Sequence, residues 1–141
     1  MSLTTALRIV RVSAIYDLIV TAGFAFPFSA PLIFAGVAAL QTSFGVSGSL
    51  PNAGDASTVM FANLMGGLVT VWALFRIVRP SLLAGAADTL GRAFFSMGMI
   101  AALLAGASPV IWIMLVLELA WGVVQGWAVV AAWRRARVAT A

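Results

Sequence analysis

Between Ala93 and Trp133 the chain runs 41 residues with a single ionisable side chain, Glu118. A stretch of that length and composition calls for helices that cross a bilayer, and it leaves a carboxylic acid in apolar surroundings to be accounted for. Comparable segments recur along the whole chain. Only 9% of the 141 residues are charged, the mean hydropathy is +1.11, and ordinary soluble domains carry about 25% charged residues. Nothing is left over for a separate aqueous domain, so the sequence reads as an all-α integral membrane protein, one bundle over residues 1–141.

Four spans are expected, about 3–26, 58–78, 81–106 and 109–133, in a compact bundle. Pro27 and Pro31 end the first, because proline cannot continue the helical hydrogen-bond ladder. Residues 31–44, PLIFAGVAALQTSF, are too short to span and read as an interfacial or re-entrant helix. Residues 45–57 have loop composition, with Ser57 as the expected N-cap of the second span. Ser81 caps the third span, Ser108 and Pro109 open the fourth, and Arg134, Arg135 and Arg137 close it.

The arginines orient the spans. Arg8 and Arg11, Arg76 and Arg79, and the cluster from Arg134 to Arg137 all fall on one side, while the opposite loops hold only Asp55. The positive-inside rule then places both termini in the cytoplasm of a bacterial inner membrane. A cleaved signal peptide does not fit, since Asp17 interrupts the first apolar run and Phe28 stands where a small residue is wanted. Nucleic acid is not an expected partner, because the arginines flank apolar segments instead of forming a basic patch. The absence of Cys and His excludes thiolate catalysis, imidazole-ligated haem and the usual zinc sites, and no metal or cofactor is expected.

Asp17 and Glu118 are the candidate catalytic pair, both near mid-span by residue count. Asn63, Gln125 and Arg92 lie at neighbouring depths and, with Tyr16, Trp72 and Trp121, form the expected ligand-binding set. Helical spacing groups Glu118 with Trp121, Gly122 and Gln125, and Asp17 with Val10, Ala14 and Thr21. An acid at a helix centre costs on the order of 2.5–3.5 kcal/mol on insertion scales, so each should face the bundle interior. There it is either a neutral acid able to donate a proton or a carboxylate paired with Arg92.

The structural alternatives stand beside this reading. Asp88 and Arg92, four apart with the acid first, form a favourable helical pair expected to face the cytoplasm. Asn63 and Gln125 suit interhelical hydrogen bonds, and Gly122 to Gly126 is a GxxxG match that permits close helix approach. Met60, Met65, Met97, Met99 and Met114 line a cavity or fill a core. Four spans with a short helix after the first resemble the build of bacterial DoxX-type proteins. That resemblance is architectural and implies no activity or residue role.

Three functions follow from these features. The first is binding, or acid–base conversion, of an isoprenoid- or quinone-like molecule in a mid-membrane polar pocket, with Asp17 and Glu118 exchanging protons and Asn63 and Gln125 orienting the substrate. The second is an accessory or assembly subunit, in a homo-oligomer or larger membrane complex, using the GxxxG face and the 31–44 helix as contacts. The third is a proton-coupled transporter.

Overall fold

The computed structural model describes residues 1–139; Thr140 and Ala141, the end of the expected bundle, lie outside them. Five α-helices follow in order: α1 Leu3–Thr21, α2 Ala30–Ser43, α3 Ala56–Val78, α4 Leu82–Leu104 and α5 Ile111–Ala139. No strand is present among the described residues. Three helical stretches, Ala56–Val78, Leu82–Leu104 and Ile111–Val138, are long and apolar enough to cross a membrane. The first helix carries Arg8, Arg11 and Asp17 within 19 residues and falls outside that composition.

Local chemistry explains the boundaries, including those that differ from expectation. The first helix stops at Thr21, five residues early, and a 3₁₀ turn over Ala22–Phe24 replaces the expected last turn. The Phe24 carbonyl so released accepts from Asn63 Nδ2 at 3.2 Å. Asp55, not Ser57, caps α3: its Oδ2 accepts from the Thr58 backbone N–H at 2.8 Å and from the Thr58 hydroxyl at 2.5 Å. Asp55 precedes the helix with extended backbone, as an N-cap requires, whereas Ser57 is already helical. Ser81 caps α4 as expected, accepting from Ala84 N–H at 3.0 Å. At its other end Gly106 takes φ +88°, a left-handed turn that lets Ala107 N–H reach the Ala102 carbonyl at 2.9 Å. The last helix does not close at Arg134: that residue, Arg135 and Arg137 all lie within it.

Two antiparallel pairs form the bundle. Arg11 Nε donates to the Ile77 carbonyl at 3.1 Å near one end of the α1–α3 pair, and Asn63 meets Phe24 near the other. Helices α4 and α5 form the second pair, and α1 joins the two by packing on α5 and, less extensively, on α4. Gly85 makes this three-helix contact: a Cβ there would lie 2.6 Å from Val10 Cγ2 and 2.9 Å from Val129 Cγ2. The loop after α2 is tied to the α4–α5 turn, with Ser49 N–H to the Gly106 carbonyl and Ser108 N–H to the Ser49 carbonyl, both 2.9 Å.

Polarity runs inside out relative to a soluble protein. The buried apolar residues are mostly small, including Ala6, Ala14, Ala73, Ala84 and Ala128, while Leu68, Val71, Leu83, Phe94, Met97 and Val123 are exposed. Small residues let membrane helices approach, and apolar side chains on the outside suit lipid. Helices α3 and α4, although consecutive and joined through Arg79 to Ser81, barely touch. A cleft opens between them.

Candidate functional site

Each long helix turns a polar pair toward one point: Ser13 and Asp17 from α1, Trp72 and Arg76 from α3, Asp88 and Arg92 from α4, Glu118 and Gln125 from α5. Spacings of four or seven residues keep each pair on one helical face. Arg92 is the hub. Its Nη2 lies 2.7 Å from both Asp17 carboxylate oxygens, its Nε 3.0 Å from Asp88 Oδ2, and its Nη1 2.8 Å from Glu118 Oε2. Arg76 ion-pairs with Asp17 and, from Nη1, with Asp88 Oδ2 at 2.8 Å.

Neutral groups complete the network. Ser13 Oγ donates to Gln125 Oε1 at 2.6 Å and accepts from Arg92 Nη2 at 3.1 Å and Arg76 Nη1 at 3.3 Å. Gln125 Nε2 lies 2.9 Å from both Asp88 Oδ2 and the Gly85 carbonyl, and Trp72 Nε1 donates to Asp88 Oδ1 at 2.9 Å. Burial is nearly complete, from 0% exposed for Arg76 to 7% for Asp88 and Glu118. Charges this deep persist only when paired and hydrogen-bonded; all five ionic groups are ion-paired, while Arg76 Nε is buried without a partner among the described residues.

Among the three acids Glu118 has the fewest partners. Three carboxylates face two guanidiniums, which leaves a formal charge of −1 when all five are ionised. Both oxygens of Asp17 and of Asp88 have donors, whereas Glu118 is held through Oε2 alone. Its Oε1 is the carboxylate oxygen of the cluster with no protein donor among the described residues.

That acid lines the cleft between α3 and α4. The cavity has a volume of about 490 Å³, and its lining includes the polar side chains of Asp17, Thr21, Asp88, Arg92 and Glu118 and the indole of Trp72. Its walls are apolar, with Met65, Phe95, Met99 and Met114 prominent. Leu68, Ala87 and Phe95 at its margins are exposed, so the cleft opens sideways, toward the surface that faces lipid in a membrane. A shallower apolar groove past Gly98 and Ala102 shares Phe95, Met99 and Met114 with it.

The candidate residues divide on this geometry. Asp17, Arg92 and Glu118 converge, Trp72 joins them through Asp88, and Gln125 braces the cluster without lining the cleft. Asn63 does not join them; it pins the turn after α1. Tyr16 and Trp121 pack on each other with ring centroids 5.8 Å apart, outside the cleft lining, and the buried Tyr16 hydroxyl has no hydrogen-bond partner among the described residues. Of the methionines, Met65, Met99 and Met114 line the cleft, while Met60 and Met97 are exposed and fill neither core nor cavity.

Two expectations are overturned. Arg76 stands in the last turn of α3, as expected, but it does not flank the bundle: it is fully buried in the cluster. Asp88 and Arg92 do form a pair, at 3.0 Å, but the pair faces the interior and not the cytoplasm. Arg76, Asp88 and Ser13 are thus site residues that helical spacing alone did not single out. The GxxxG face is also already used within the chain: a Cβ on Gly126 would lie 3.0 Å from Thr89 Cγ2, and Gly122 faces Arg92.

No protein-family model, curated protein or solved structure matches the chain.

Proposed function

We propose that the protein is a four-span bacterial inner-membrane protein, both termini cytoplasmic, that binds or converts an isoprenoid- or quinone-like molecule in the α3–α4 cleft. The observation carrying this reading is the pairing of an apolar, laterally open cavity with an under-partnered acid, Glu118, in its lining. A lipophilic molecule reaches such a cavity from the bilayer without crossing water, and its polar head ends at the carboxylates. Pockets of this size with few polar groups are the usual form of small-molecule sites.

Roles follow from the partners. Glu118 has an oxygen free to give or take a proton, so acid–base exchange falls to it. Asp17, saturated by two guanidiniums, instead holds Arg92 in place. Trp72 and Arg92 border the ligand head, while Gln125 and Asn63 brace the helices around it. Helix α1 serves as the fourth span because its acid is turned inward and ion-paired, which offsets much of the insertion penalty. With Arg76 removed from the orientation argument, Arg8, Arg11, Arg79, Arg134, Arg135 and Arg137 still share one end.

Purification into native nanodiscs followed by mass spectrometry tests the reading. A co-purifying isoprenoid or quinone, lost on Glu118→Gln, is expected. A stoichiometric protein partner with no small molecule would favour an accessory subunit.

A further inference from the structure

The charge balance of the cleft selects a ligand class beyond lipophilicity. Asp17 and Asp88 are matched by Arg76 and Arg92, whose contacts fall mainly on carboxylates, and Glu118 is the surplus acid. An anionic head would have to displace a carboxylate from Arg92, the guanidinium among the described residues of the lining. A cation displaces nothing: Glu118 Oε1 has no protein donor among the described residues, the Thr21 hydroxyl and Trp72 indole of the lining already donate to the Asp17 carbonyl and Asp88, and the surrounding Phe24, Phe95, Met65, Met99 and Met114 present polarizable surface. The cavity is the independent feature that makes this more than an acidic cluster.

We infer that the cleft takes a lipophilic monovalent cation, which exchanges with one proton on Glu118. Every charged or titratable group around that acid fits the count. Helix α1 supplies Asp17 and the Tyr16 phenol, α3 supplies Arg76, and α4 supplies Asp88 and Arg92, so either a proton or one positive charge offsets the surplus acid of the ion-paired cluster. The exchange balances: the cation enters from the lipid side, the Glu118 O–H bond breaks, and the proton leaves to water. This inference rests on the cleft being a site for lipophilic molecules and adds the sign of their charge.

Tetraphenylphosphonium is a suitable probe, because it neither titrates nor donates hydrogen bonds, and tetraphenylborate matches its size with opposite charge. Both are titrated onto the full chain in uncharged nanodiscs. Tetraphenylphosphonium should bind with release of one proton in weak buffer, and its affinity should fall about tenfold for each unit the pH is lowered in the range where Glu118 is protonated. Tetraphenylborate should bind at least tenfold more weakly. Glu118→Gln should abolish both cation binding and proton release, and Glu118→Asp should retain both. Equal binding of the two ions, pH-independent cation affinity or undiminished proton release in Glu118→Gln overturns the inference; the first two outcomes need no variant. A neutral short-chain quinone run in parallel separates the claims. Quinone binding without phosphonium binding overturns the cation alone, and binding of neither overturns the cleft as a ligand site as well.

Discussion

Arg76 Nη1 and Asp88 Oδ2 lie 2.8 Å apart, an ion pair that joins α3 to α4 although the two helices barely touch. With the indole of Trp72 on the other Asp88 oxygen, it closes the cleft at the end where the chain turns through Arg79 and Pro80. Away from this tie the walls separate. The same buried contacts therefore stabilise the fold and define the depth of the cavity.

Removing Arg76 should be severe. Arg76→Ala leaves Asp17 and Asp88 short of a cation in the interior, and breaking a buried pair this way costs about 3–5 kcal/mol. Lysine should not rescue it, because an ammonium cannot reproduce two-sided guanidinium contacts. Thermal unfolding in detergent, read by size exclusion, should show large losses for Arg76→Ala and Arg76→Lys and almost none for Arg79→Ala, whose side chain is exposed.

The glycines should separate by what each one faces. At Gly66 a Cβ would lie 2.5 Å from the Phe24 carbonyl carbon, backbone that cannot move aside cheaply, whereas at Gly122 the nearest atom is 3.9 Å away. Gly66→Ala should destabilise by about 1–3 kcal/mol as overpacking does, and Gly122→Ala should be near neutral. Gly85→Ala should be harmful alone and partly restored by Val10→Ala, since Val10 Cγ2 is its closest clash. Unfolding curves of the double variant check this.

The α3 cap carries a pH dependence. Asp55 is held below the usual carboxylate range, first by the Thr58 hydroxyl and then by the Thr58 backbone N–H. A depressed folded-state value means the contribution is present above the unfolded value, about 3.9, and is lost as pH falls through the lower folded value. Amide exchange at Ser57 and Thr58 should therefore lose protection below about pH 4. Asp55→Ala should show the weakened protection at every pH.

Topology is open to reporter fusions. Fusions after Pro80 and at the C-terminus should read cytoplasmic, and those near Asn52 and Ser108 external. An external C-terminus would remove the four-span topology.

Much of this architecture was legible in the sequence because proline, glycine and serine punctuate it at fixed places. Pro31 opens α2, Ser81 caps α4, and the apolar runs between are as long as a bilayer demands. Asp17, Glu118 and Arg92 stood out because a charge amid apolar residues has to be met by a partner. Arg76 did not, since an arginine three residues before Arg79 and Pro80 has the pattern of a flanking anchor, and only the packing of α3 on α1 turns it inward. Asp88 was masked in the same way by its local pairing with Arg92. The cleft itself had no sequence signature, because it arises from two consecutive helices failing to pack.

The most direct test of the central claim is labelling by an apolar carbodiimide, which reaches protonated carboxyls from the lipid phase, with the modified acids identified by mass spectrometry. Glu118 should be labelled in preference to Asp17 and Asp88, whose oxygens are held by guanidinium, amide and indole donors, and an added short-chain quinone should suppress that labelling in proportion to its occupancy. Equal labelling of all three acids, or labelling of Glu118 that no quinone or phosphonium diminishes, would contradict the account: the acid would then lie on an open surface and not in a ligand-binding cleft.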